Sequence, residues 1–314
     1  MTTRGRVDGQ ATLMEDEFTS YYNRRILKPP AWREVNIGGY LYLGGLAGAS
    51  SVFAAGGQLT GRPGLARAGK VAALTGISLS LVALVEDLGR PERFLNMLRT
   101  FKPTSPMNVG SWLLAAYTPL VGISMLTELT GRFPLAGRAA CYGAAVIGPA
   151  ITTYTAVLVS DTAVPAWHDG YREMPFLFAG SATATAAGAA MIATPPSENT
   201  PARRAAVFGT ALELVAGRLM RRRLGMVAGS YERGRAGALL RAAEALAVAG
   251  AAGAVVAGRK RTLAVLSGAA LMAASACVRL GVFSAGVAST QDPRYTVVPQ
   301  RARVSAQAAR PGGR

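Results

Sequence analysis

Apolar stretches about as long as a bilayer is thick alternate along this chain with short, mostly basic segments. A helix needs roughly 20 apolar residues to cross the hydrocarbon core. Eight stretches qualify: about 36–58, 66–86, 108–128, 138–160, 174–194, 203–220, 238–257 and 262–280. Glu213, Arg218 and Glu244 intrude on the sixth and seventh, so seven spans plus an amphipathic segment is the competing count. The pattern predicts an all-α integral membrane protein. A polar segment, 1–35, leads into a first four-helix bundle over 36–160. A connecting loop, 161–173, a second bundle over 174–280 and a tail, 281–314, follow. No repeat is visible, so the division into two bundles rests on the count alone. Beyond about Arg301 the tail is read as carrying no structure. Inside the spans Gly44 and Gly48, like Gly253 and Ala257, stand four apart, the spacing that lets helix backbones approach closely.

Composition agrees with the pattern. Of 314 residues, 50% are hydrophobic and only 16% charged, against about 25% charged in a soluble domain. The mean hydropathy is +0.26. A net charge of +17 raises nucleic acid as a partner, but the basic residues lie in clusters such as Arg221-Arg222-Arg223 and Arg259-Lys260-Arg261 between apolar stretches. That is the pattern of membrane loops, with a lipid bilayer as the partner. Eight spans put both termini on one side, which takes 24 of the 34 Lys and Arg and leaves 10 on the other. The positive-inside rule then places the termini in the cytoplasm, with the protein multi-pass in the inner membrane. Residues 1–35 contain no apolar run of the kind an export signal needs.

The acidic residues are more lopsided. Only Glu128 and Glu198 fall on the far side, while Trp32, Trp112, Trp167 and His168 all fall on the terminal side. His168 is the single histidine, so a bis-histidine haem is excluded, and Cys141 and Cys277 lie in apolar runs as small hydrophobes. No metal is expected on this chain; any electrons must come from a partner.

Candidate chemistry converges on the terminal face. Asn36 and Tyr40 share a stripe at the start of the first span. Asp87 ends the second span, with Arg90 three residues on and Pro91 behind it. Asn108, Ser111 and Trp112 open the third, and Tyr154 and Asp161 lie two turns apart at the end of the fourth. Each has a plain structural reading: a helix cap for Asn36, a belt tyrosine for Tyr154, an ion pair for Asp87 and Arg90, loop residues for Asp161 and His168. Their common depth favours function. Glu213 and Glu244 either pair with Arg218 and Arg241 or line a proton path. An apolar body with a few convergent donors suits a quinone: Tyr and Asn donate to its carbonyls, and a carboxylate or His168 supplies protons.

Particular segments carry a resemblance. The stretch from Asn36 through Gly38-Gly39-Tyr40 to Gly48, the run Asp87-Leu88-Gly89-Arg90-Pro91 and the segment Lys102 to Trp112 resemble the NrfD/polysulfide-reductase family. So do Tyr154 to Ser160 followed by Pro165-Ala166-Trp167-His168, and the tail from Asp292 to Arg301. The resemblance implies an eight-span, haem-free quinone-binding anchor in two four-helix bundles. It docks a ferredoxin-like iron–sulfur subunit that connects to a molybdopterin oxidoreductase subunit. It implies a menaquinone or ubiquinone site in the first bundle, where Asn36 and Tyr154 match quinone-contacting positions and Gly39 and Tyr40 lie between. Some members carry a histidine one turn beyond that asparagine; this chain has Gly39 there, so that proton donor does not carry over. Asp87, Asp161, His168, Glu213 and Glu244 are then the proton-transfer candidates, and Arg90, Arg93, Arg99, Trp112 and Trp167 the docking candidates. The rivals are a secondary transporter or proton channel, and a pure anchor that touches no quinone.

Overall fold

A computed structural model describes residues 27, 30, 32–87 and 96–308, with 302–308 as backbone only. Its long helices are α1 (Glu34–Leu59), α2 (Pro63–Asp87), α3 (Pro106–Thr130), α4 (Pro134–Ser160), α6 (Met174–Ala193), α7 (Thr200–Leu224), α9 (Gly234–Val256) and α10 (Arg261–Gln291). Short helices α5 (Pro165–Asp169) and α8 (Gly229–Glu232) and a closing helix α11 (Arg294–Ala308) complete the chain. Seven of the eight long helices are long and apolar enough to cross a membrane, and α7 is the exception. Proline stands in the first turn of α3 to α7; there its missing N–H removes no helical bond. Gly131, at φ +66, ends α3 in the left-handed conformation that glycine adopts without steric cost.

Two expectations need correction. The last span does not stop near residue 280 but continues to Gln291, and the tail past Arg301 is not structureless, since α11 runs to Ala308. The polar side chains in the added turns are satisfied inside the fold. Ser284 donates to Glu34 at 3.0 Å, and Ser289 Oγ accepts from the Ala166 N–H at 3.3 Å.

Small residues decide which helices meet. α1 packs along α2 and α4, and α3 lies against α4; later in the chain α6 packs along α7 and α10, and α9 lies against α10. At the α1–α4 crossing a Cβ on Gly48 would lie 2.5 Å from the Gly148 carbonyl oxygen. At the α6–α10 crossing a Cβ on Gly188 would lie 2.5 Å from that of Gly268. No larger residue fits either place without moving a backbone.

Arginines close the helix ends. Arg203 donates to Ala254, Val255 and Gly258 carbonyls at the end of α9, and Arg261 donates to Met191, Ile192 and Thr194 at the end of α6. These carbonyls have no partner within their own helices. Glu198 Oε2 accepts the Leu65 N–H at 3.0 Å and ties the start of α2 to the later helices. At the other end Arg235 donates to Glu34 at 2.8 Å.

Candidate functional site

α1 and α4 bring two phenols together. The Tyr40 and Tyr154 hydroxyls are hydrogen-bonded to each other, and both residues are buried. Tyr154 fits because Gly110 of α3 has no side chain: a Cβ there would lie 2.5 Å from the tyrosine ring. Ser80 of α2 donates to the Tyr40 carbonyl at 3.1 Å and holds that turn of α1. Two hydroxyls that share one hydrogen bond keep one O–H unspent between them. Beside them lies a cavity of about 60 Å³, walled by Leu84, Met97, Met107, Leu114 and Leu158.

The cavity lies beneath a loop that Asn108 holds together. Its amide donates to the Met97 and Thr100 carbonyls at 2.8 and 2.9 Å, and its oxygen accepts the Lys102 N–H at 2.6 Å. Trp112 Nε1 donates to Thr100 at 3.3 Å and meets Phe101 edge-on. Phe101 is 66% exposed and Trp112 38%, and Arg99 is exposed beside them. Met97 and Met107, which flank this surface along the chain, wall the cavity beside the phenol pair.

Asn36 lies one turn before Tyr40 on α1. It is half-buried and its amide has no hydrogen-bond partner among the described residues, so it is not spent as a helix cap. A Cβ on Gly39 would meet nothing within 4 Å among the described residues, which leave that side of α1 open. Asp87 accepts the Arg33 N–H at 3.2 Å, which ties the end of α2 to the start of α1. Arg90 and Arg93 lie outside the described residues. Asp161 is exposed at the end of α4; His168 is exposed too, with Nδ1 3.2 Å from the Ser160 carbonyl oxygen.

Three expectations change. Trp167 is 1% exposed, so it lies beneath the surface where a partner could dock. Its indole donates to the Val282 carbonyl at 2.8 Å and stacks on Trp32, and Gly286 leaves room for the ring. Glu213 does not pair with Arg218, which is exposed on another face of α7. Glu244 pairs with Arg221 at 2.5 Å, while Arg241 donates to the Glu232 carbonyl. Helical spacing suggested the local partners, but partners on neighbouring helices are nearer once the helices pack.

The residues that the sequence reading missed are the cavity's apolar walls, the glycine under Tyr154 and the buried Arg279. An apolar wall has no signature within an apolar span. A span drawn over 262–280 puts Arg279 at its end; the extension of α10 to Gln291 makes it an interior residue.

Elsewhere, Lys70 is buried on α2 and donates to Glu128 of α3 at 2.8 Å, a pair not foreseen from spacing. Outside the spans, the Arg223 guanidinium holds the Glu173 carboxyl below the usual carboxylate range.

No curated protein matches the chain. The family model described as "Polysulphide reductase, NrfD" matches residues 27–216, from before α1 into α7, and so takes in the tyrosine pair, its cavity and the loop above it. Matched over more than half its length and built of long apolar helices, the chain is an integral membrane protein that belongs to the polysulphide reductase NrfD family.

Proposed function

We propose that this protein is the quinone-interacting membrane subunit of a respiratory oxidoreductase complex. In this reading it accepts electrons from, or returns them to, a docked iron–sulfur subunit that serves a molybdopterin catalytic subunit. The observation that carries the reading is the Tyr40–Tyr154 phenol pair beside an apolar cavity. The residues fit the group. The pair keeps one O–H free, the Asn36 amide is unpartnered, and the walls are aliphatic and thioether side chains. The enclosed space admits the carbonyl-bearing edge of a ring.

A bound quinone supplies a two-electron, two-proton carrier, either menaquinone or ubiquinone. The chain's own residues bind and orient it: Tyr154 and Tyr40 offer the free phenol proton, and Asn36 offers a second donor. Gly39 leaves the approach open, and the loop held by Asn108 keeps water from the cavity. Asp87, Asp161 and His168, at the helix ends on the same face, exchange protons with solvent. The exposed surface of Arg99, Phe101 and Trp112 is where the iron–sulfur subunit docks, which shortens the path for electrons to the cavity.

The same reading makes α7 the eighth span, in two four-helix bundles. Its outward face between Arg204 and Arg218 is Val207, Phe208, Ala211 and Val215, all exposed and without charge. Its other charges turn inward or lie at its ends, where long side chains reach the interface. The excess of Lys and Arg on the terminal side supports cytoplasmic termini in the inner membrane.

Tyr154→Phe tests the reading in the purified complex. Quinone turnover is expected to fall by about 100-fold, the range for loss of a positioned proton donor, while the subunits still co-purify. Unchanged turnover in an intact complex overturns the site.

A further inference from the structure

The later helices bury charge that the tyrosine site does not use. Glu213, midway along α7, is 3% exposed, and its Oε2 has no hydrogen-bond partner among the described residues. Arg279 of α10 is fully enclosed. One of its nitrogens donates to the Phe178 carbonyl at 2.9 Å and its guanidinium lies over the Phe178 ring, yet Nε and Nη1 have no partner among the described residues. An unmet carboxyl oxygen in an apolar interior costs several kcal/mol (roughly 2–7 for a polar group without a compensating bond).

Glu213 lines a cavity of about 30 Å³, together with Gly217, Arg221, Leu240, Ala243 and Glu244. A water molecule needs on the order of 10–15 Å³ of such space and at least two polar partners. The partners are present. Glu213 Oε2 is free, and across the same cavity Glu244 is ion-paired with Arg221 and 37% exposed at the α7–α9 seam.

We propose that this cavity holds a water bound to Glu213 Oε2, and that Glu213 exchanges protons with the terminal side through that water and the Glu244–Arg221 pair. In one direction Glu244, exposed at the seam, takes a proton from the terminal side and passes it to the water as the water's own proton passes to Glu213, leaving Glu244 ionised and again paired with Arg221 and Glu213 neutral. The reverse step restores both, and no electrons move. The groups that face Glu213 are Ser181 from α6, Arg279 from α10 and Glu244 from α9, with Arg221 on its own helix. Tyr231 of α8 also lines the cavity, but its hydroxyl is spent on the Ala166 carbonyl at 2.9 Å. This branch uses none of the quinone-site residues and stands or falls apart from that site.

The test is infrared difference spectroscopy of the full-length protein in detergent, without quinone, through a pH step and through exchange into D₂O. A buried carboxylic C=O band that responds to pH, shifts in D₂O and is lost in Glu213→Gln is expected. Gly217→Ala is the second variant: an added Cβ meets nothing nearer than Leu177 at 3.6 Å, so the fold is spared while the cavity is filled. Deuterium exchange of the band should slow by at least about tenfold in Gly217→Ala, because the displaced water's bonds are not replaced. Glu244→Gln should slow it as well. A band insensitive to pH, or an exchange rate in Gly217→Ala equal to the native rate, overturns the proposal. If Glu213→Gln does not accumulate, the comparison of native protein with Gly217→Ala decides alone, because that variant leaves the carboxyl in place.

Discussion

The helices before and after α5 share a frame and differ in what they hold. α1 and α4 cross at Gly48 and Gly148; α6 and α10 cross at Gly188 and Gly268. About two turns from each crossing, toward the terminal side, one hydrogen bond joins the same two helices. In the first set it is Tyr40 to Tyr154, beside a cavity; in the second it is Ser181 to Ser275 at 2.8 Å. The leading helix of each set begins at an acidic residue held by an arginine, Glu34 with Arg235 and Glu173 with Arg223. The tyrosines line a cavity, whereas the later helices bury Glu213 and Arg279. A crossing set by glycine thus fixes the distance between two helices and leaves the residues two turns away free to differ in chemistry.

The comparison is broken most severely at the crossings. Gly148→Ala and Gly268→Ala each force a Cβ against a facing carbonyl. Each should cost about 2 kcal/mol or more, as overpacking of a tight core does. Thermal inactivation in detergent checks this; a loss confined to one variant would show that the two crossings are not equivalent supports.

The two hydrogen bonds should separate by function rather than by stability. Tyr40→Phe removes one of two coupled hydroxyls and is expected to lower quinone turnover by roughly 10- to 100-fold. Ser181→Ala should leave turnover within about twofold and cost about 1 kcal/mol of stability, a typical net hydrogen bond. Turnover and melting curves on both variants test the assignment, and equal turnover losses would refute it.

The smallest effect expected is at the helix starts. Glu173 is more enclosed than Glu34, with side-chain exposures of 16% and 25%. Its carboxyl is held below the usual range by Arg223. A depressed folded-state value means the stabilisation is present at neutral pH and is lost as pH falls through that value. Glu173→Gln should therefore cost about 1 kcal/mol at pH 7. The gap from the native protein should close below about pH 4, where the unfolded carboxyl already binds its proton. Glu34→Gln should cost less at pH 7, since Arg235 is 68% exposed. Melting curves at pH 7 compare the two variants, and curves taken to acidic pH follow Glu173.

Much of this was legible in the chain. Spans can be read because the apolar residues that cross a bilayer are contiguous. The basic loops can be read because charge is excluded between them. Tyr154 and Asn36 stood out because polar groups at one depth are conspicuous in apolar helices. The partner of Tyr154 was not evident. Tyr40 was seen to share a stripe with Asn36, but that it meets Tyr154 depends on the α1–α4 crossing. The local partners read for Glu213 and Glu244 failed for the same reason, as Glu244 found Arg221 across the α7–α9 seam.

By itself, then, the sequence determined a membrane-embedded helical chain and its approximate spans. Both follow from transfer of contiguous segments between water and lipid, which each segment decides locally. Only the tertiary structure decided which helices touch, that Trp167 is buried, that α10 continues past its polar serines, and that α7 turns Glu213 inward. Those outcomes depend on contacts between residues distant in the chain. In lipid such contacts are selected by close packing of small residues and by satisfied hydrogen bonds rather than by hydrophobicity.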